Sequence, residues 1–253
     1  MKKLLPLVIA SFIGFAPVAQ AADSSYKVES QEWSFNGPFG TFDRGALQRG
    51  FQVYSQVCAA CHSMKHVSYR NLTALGYTEE EVKAIAAQYT TMDGPDEEGE
   101  MFERAMKPSD KFKAPYENDQ AARYTNNGAL PPDLSLIVKA RVGGADYLYG
   151  LLMGYEEPPE GVKLSSGQHW NKVMPGNKIA MAAPLSEDMI GYEDGSPTTV
   201  EQYSRDVSTF LAWAAEPEME ERKATGIKVI LFLLVFAGIM YAVKKKIWAD
   251  VKH

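Results

Sequence analysis

Cys58-Ala59-Ala60-Cys61-His62 holds both cysteines of a 253-residue chain and one of its four histidines. Two cysteines three residues apart, followed at once by histidine, form the attachment signature of c-type haem. Chemistry accounts for the spacing. Each thiol adds across one vinyl group of the porphyrin, and side chains at i and i+3 share one face of a helical turn. His62 comes next and turns its imidazole toward the iron as the proximal ligand. The competing chemistries fit less well. Two cysteines in an oxidising compartment suggest a disulfide by default, but the following histidine points away from it. A thioredoxin-like dithiol belongs beside a βαβ pattern, and the sequence ahead of Cys58 is helix-like. A closed zinc site wants four ligands, and a second cysteine pair is missing. One covalently bound haem c is therefore the expected cofactor.

The flanks predict how that motif is held. Asp43 can cap a helix carrying Leu47, Phe51, Tyr54 and Cys58 at three- and four-residue spacing. Gly50, on that face, would let another helix approach closely. A later amphipathic helix presents Val200, Tyr203, Val207, Phe210, Leu211 and Ala214, with Thr198 and Glu201 as its capping box. An early and a late helix crossing beside the haem is the class I cytochrome c arrangement. Thr78 and Glu81 form another capping box, for a helix with Val82, Ile85, Ala86 and Tyr89 on one side. Asp146 to Met153 reads as a further helix. Residues 107–135 read as an irregular, Pro-rich belt, and Asp93 to Glu100 as an acidic turn. The expected fold is mainly α: a class I cytochrome c-like haem domain with long irregular insertions, plus one C-terminal transmembrane helix. No internal repeat, Gly-rich phosphate loop or Ser-His-Asp arrangement is found.

Both ends are special. Lys2 and Lys3 precede an apolar run from Leu4 to Val18, and Ala19-Gln20-Ala21 is a small-x-small cleavage site. Residues 1–21 thus read as a secretory signal peptide, too short and Pro-interrupted for a span. Residues 226–243 read as a single membrane anchor. Its one charge, Lys228, can snorkel, and Lys244-Lys245-Lys246 and Trp248 follow directly. Lysines past a span place residues 244–253 in the cytoplasm, so residues 22–225 form an exported domain. The expected setting is the inner membrane of a bacterium, with the haem domain in the periplasm. That domain holds 19 Lys and Arg against 31 Asp and Glu, a net charge of −12. Such acidity disfavours nucleic acid and suits a basic protein partner.

A low-spin electron carrier needs a sixth ligand, and a Met thioether raises the potential relative to His. Met153, Met174, Met181, Met189 and His169 are the candidates. Met153 falls in the expected helix and reads as core. Met174 and Met181 lie in a Pro- and Gly-rich stretch able to present a side chain to a metal, and these residues alone separate the two poorly.

With these features in place the chain resembles the cytochrome c1 family, the haem subunits of ubiquinol–cytochrome c reductase. The likeness runs through Arg49-Gly50-Phe51-Gln52-Val53-Tyr54, Val57 to Met64 and Asp93-Gly94-Pro95. It continues at Gly99-Glu100-Met101-Phe102, Asn126 to Ser135, Gly154 to Pro159, Ile179-Ala180-Met181-Ala182 and Phe210 to Pro217. The resemblance implies Met181 as the axial methionine, Arg141 beside a haem propionate, and Pro132 beside the proximal imidazole. It also implies the partners: the Rieske iron–sulfur protein as donor, a basic cytochrome c as acceptor, cytochrome b in the membrane, and a dimeric complex. In that setting Glu97, Glu98 and Glu100 would help to dock the acceptor. The chain would be no enzyme on its own. Some bacterial relatives carry a further cysteine pair downstream; here none exists, so the Met181 loop must rely on packing and hydrogen bonds. The alternatives are an anchored cytochrome feeding a terminal oxidase, a haem peroxidase with an open sixth position, or a haem-free dithiol oxidoreductase.

Overall fold

The Asp43 carboxylate accepts from Ala46 N at 2.9 Å and starts the first helix, as its position ahead of an apolar-periodic run requires. The computed structural model describes residues 28–251, so the leader read at 1–21 lies outside the described residues. In chain order the elements are α1 (Arg44–Gln56), α2 (Glu79–Ala86), β1 (Thr90–Asp93), β2 (Phe102–Ala105) and α3 (Asp119–Thr125). They continue with α4 (Gly144–Met153), β3 (His169–Trp170), β4 (Lys178–Ile179), α5 (Val200–Ala215) and α6 (Met219–Ile247). Short 3₁₀ turns cover Cys58–Ala60 and Tyr69–Leu75. The strands form two separate antiparallel pairs, β1 with β2 and β3 with β4. The fold is mainly helical, with one long apolar helix at the C-terminus.

The core is the crossing of α1 and α5. A Cβ on Gly50 would lie 2.1 Å from Asp206 O and 2.7 Å from Phe210 Cβ, so only a hydrogen atom fits there. Around that contact the Phe51 and Tyr54 rings meet Phe210 at centroid distances of 5.8 and 5.7 Å, and Phe112 joins them. On the other side α5 packs against α4. There Arg205 lies over the rings of Trp33 and Tyr149, and Trp33 Nε1 donates to Asp146 at 2.6 Å.

α5 is buried far more completely than one amphipathic face predicts: every residue from Asp206 to Ala215 is buried. Asp206 sits in this apolar wall fully buried. The Arg49 guanidinium grips it through Nε and Nη2 at 2.9 and 3.1 Å, Gln202 adds a bond at 3.0 Å, and Arg49 Nη1 reaches Asp194 at 2.7 Å. Burial works against the Arg49 charge, but the two carboxylates outweigh it and hold its pKa above the ordinary value.

Several local expectations need adjusting. α5 is capped by Thr199, which accepts from Gln202 N, and not by Thr198 and Glu201; Thr198 instead hydrogen-bonds Asp188 through both side chain and backbone. α1 stops at Gln56, so Cys58 opens its own tight turn and does not continue the helix face. α4 begins two residues ahead of Asp146, and the belt at 107–135 contains α3. Met153, expected in the core, is 37% exposed because it ends α4 just where Gly154 turns the chain. The Thr78–Glu81 capping box forms as expected. The acidic turn is the loop of the β1–β2 hairpin, closed by Asp96 accepting from Glu98 N and Glu100 N and braced by Arg104 against Asp93 and Asp110.

Candidate haem site

After α1 the chain tightens into a 3₁₀ turn, in which Cys61 N and His62 N both donate to Cys58 O, at 3.1 and 2.8 Å. This puts both thiols and the imidazole on a single turn. Both cysteines are free; Cys58 is half-buried and Cys61 exposed. Burial, and then the neighbouring Cys61, push the Cys58 thiol up to about 12.

The turn is fastened to a distant segment. His62 Nδ1 lies 2.8 Å from Pro132 O, and Tyr54 Oη donates to His62 O at 3.2 Å. Asp133 accepts from Ser63 Oγ and Lys65 N, at 2.8 and 2.9 Å. Leu134 N donates to Ser63 O at 2.9 Å, and Ser135 Oγ accepts from His66 N at 3.0 Å. Residues 132–135 are thus zipped onto 62–66. A carbonyl facing Nδ1 requires the proton there and leaves the Nε2 lone pair free. Burial lowers the imidazole pKa, against smaller opposing effects of Pro132 and Asp133, which favours the neutral, ligating form. Burial also works against the Asp133 carboxylate, but its donors from Ser135, Lys65 and Ser63 outweigh that and hold it below its usual range.

A second cluster is built on α4 and the loop beyond it. Asn171, fully buried, accepts through Oδ1 from Val173 N and Met174 N at 3.0 and 3.1 Å and donates through Nδ2 to Leu151 O at 2.8 Å. Asn177, in the left-handed region at φ +58°, closes the turn by donating to the carbonyls of Asn171 and Lys172. Tyr155 Oη then donates to Met181 O at 3.1 Å. The loop carrying Met174 and Met181 is therefore held by hydrogen bonds at both ends, as the absence of a further cysteine pair demands.

The candidate ligands fare differently. The Met174 sulfur accepts from Tyr147 Oη at 3.6 Å, and Met181 is half-buried with its backbone fixed. Met189 is 50% exposed and His169 is paired opposite Ile179 in the β3–β4 ladder. Arg141 is exposed, forms no ion pair among the described residues, and lies beside Tyr147, whose hydroxyl burial pushes up and Arg141 pulls down. Glu97, Glu98 and Glu100 are all exposed in the hairpin loop.

The donor set suits a c-type haem: two unpaired thiols, a neutral imidazole oriented from behind, a braced methionine loop and a guanidinium without a carboxylate. Sequence reasoning missed Asn171, Asp133, Tyr155 and the Tyr54 hydroxyl. Only Asp133, inside a Pro-Pro-Asp-Leu-Ser run, carried a local signal, that of an Asx turn.

The model of the Cytochrome C1 family matches residues 33–251. A cytochrome b/c1 of Bradyrhizobium diazoefficiens is 49% identical over 263 residues, covering 95% of this chain and 38% of that protein. The mitochondrial cytochrome c1 heme protein of Saccharomyces cerevisiae is 49% identical over 94% of this chain and 77% of its own length. Cytochrome c1 of Rhodospirillum rubrum is 45% identical over 93% and 92%, respectively. The chain thus spans well under half of the Bradyrhizobium protein and most of the other two.

Proposed function

The chain belongs to the cytochrome c1 family, and from that premise we propose that Cys58 and Cys61 bind one haem through thioether bonds while His62 and Met181 ligate its iron. Membership makes the chain a haem-binding electron-transfer subunit of a bc1-type complex. Haem, when bound, supplies a one-electron ferric/ferrous couple. The chain's residues set how that couple is held. Pro132 O keeps the proton on His62 Nδ1, so the Nε2 lone pair would be free to hold the iron. Met181 supplies a thioether, which favours a higher potential than a second histidine would. Asn171, Asn177 and Tyr155 hold the methionine loop. Arg141 offers its guanidinium to a propionate.

The observation that carries this reading is the zipper between residues 62–66 and 132–135, which aims a neutral imidazole from a turn bearing two free thiols. The proposed electron donor is the Rieske iron–sulfur protein, and the acceptor a basic cytochrome c. The exposed carboxylates of Glu97, Glu98 and Glu100 would steer that acceptor, raising encounter rates without a long-lived complex. Cytochrome b is the proposed membrane neighbour, in a dimeric complex of a bacterial inner membrane. Residues 22–225 would then face the periplasm, α6 would anchor them, and residues 244–253 would lie in the cytoplasm, with residues 1–21 removed as a leader.

Purification in mild detergent tests the whole reading. The chain is expected to keep a haem stain on a denaturing gel, to show a low-spin methionine-ligated spectrum, and to bring a b-type cytochrome with it. Complete loss of colour on acid–acetone extraction would overturn the covalent haem. Recovery with an oxidase and no cytochrome b would instead place the chain as a shuttle to that oxidase.

A further inference from the structure

We propose that the turn Gly37-Pro38-Phe39-Gly40 is a second membrane contact, seating the Phe39 ring in the lipid–water interface beside α6. The inference rests on reading α6 as a membrane anchor. That helix is tied to the N-terminal segment before it leaves the domain. The Lys223 ammonium donates to Phe35 O at 2.7 Å and to Gly40 O at 3.0 Å. One turn earlier Glu220 accepts from Phe42 N at 2.7 Å and pairs with Arg44 at 2.7 Å. Lys223 precedes Ile227, in the first turn of the apolar run, by four residues, or roughly 6 Å of helix. The interfacial zone on each side of the hydrocarbon is itself about 5–7 Å deep. A segment whose carbonyls meet the Lys223 ammonium therefore stands at the level of that zone.

The segment has the chemistry of an interfacial contact. From Ser34 to Phe42 no residue ionises, in a domain of net charge −12. Phe39 is 80% exposed, while the neighbouring Phe35 ring packs on Trp33 and Phe42, with centroid distances of 5.5 and 5.1 Å. The turn is built on its glycines: Gly37 has φ +72°, and a Cβ on Gly40 would lie 2.0 Å from Asn36 O. A lone exposed aromatic needs no explanation. An aromatic at the tip of an uncharged turn, pinned to the helix that enters the bilayer, matches the preference of aromatic rings for the headgroup level. Two contacts would also fix the tilt of the haem domain over the membrane, which one helix passing through lipid cannot do alone.

Site-directed spin labelling of the full chain in phosphatidylcholine nanodiscs tests this. Nitroxides are placed at Phe39→Cys, Phe236→Cys and Tyr124→Cys, with the unsubstituted chain labelled in parallel to account for Cys58 and Cys61. The expected result is loss of collisions with an aqueous nickel chelate at position 39 relative to position 124, with oxygen collisions retained and a depth shallower than at 236. Equal nickel access at 39 and 124, with 236 immersed, overturns the proposal and leaves the anchor standing. A label at 39 shielded from both agents marks a protein contact and also overturns it. Should 236 itself prove accessible to nickel, the anchor reading fails and this inference falls with it.

Discussion

Pro132 O stands 2.8 Å from His62 Nδ1, and that contact settles the tautomer of a side chain whose two nitrogens are otherwise interchangeable. The same kind of distinction separates the two loop methionines. A hydroxyl occupies a lone pair of the Met174 sulfur, whereas Met181 is fixed through its carbonyl and keeps its thioether free of protein donors among the described residues. Met181→Leu should keep the covalent haem but leave the iron five-coordinate, with a sharply lower potential; an unchanged potential in a redox titration would refute the ligand assignment. Asn171 is the post on which that loop hangs. Asn171→Ala strands one buried and one half-buried amide donor together with a half-buried carbonyl, so it should cost about 3 kcal/mol. Denaturant unfolding measures the loss, and the methionine-ligated spectrum should weaken alongside.

Among the elements, α1 and α5 depend on one hydrogen atom. Gly50→Ala would drive a methyl group into Asp206 O and the Phe210 side chain, and neither backbone can yield without parting the Arg49–Asp206 pair. Overpacking here should cost about 3 kcal/mol, lowering the melting temperature by roughly 6–12 °C in a domain of this size. A thermal melt with little change would show that the helices can slide apart cheaply. The β1–β2 hairpin is held differently, by Arg104 between Asp93 and Asp110 at its base and Asp96 within its loop. Ions at the base leave the tip free to present its carboxylates.

Taken whole, the molecule is a helical domain hung on a 29-residue helix that is apolar enough to span a bilayer and is unburied over its apolar window. The clamp between α6 and residues 35–44 lies ahead of Gly226, because its bonds come from Glu220 and Lys223. Cleavage between Thr225 and Gly226 should therefore release a red, soluble fragment that keeps the clamp. Fractionation of the cleaved membranes checks this, and a fragment retained in the pellet would show that something besides α6 holds the domain strongly. A single interfacial ring at Phe39 is too weak a contact to do so.

Chemistry written over a few adjacent residues was legible from the chain itself. The Cys-x-x-Cys-His motif, the Asp43 cap, the Thr78–Glu81 box and the apolar run before three lysines all act at short range, so spacing reveals them. Family likeness added Met181, Pro132 and Arg141, which no local pattern separates from their neighbours. Tertiary structure alone decided the remainder. That Asp206 is buried, that Asn171 anchors a loop and that residues 132–135 lock onto residues 62–66 are outcomes of contacts across 20 to 157 positions. A polar side chain in sequence looks equally fit for water or for the core. Only the fold shows which of them has found enough partners to be worth desolvating.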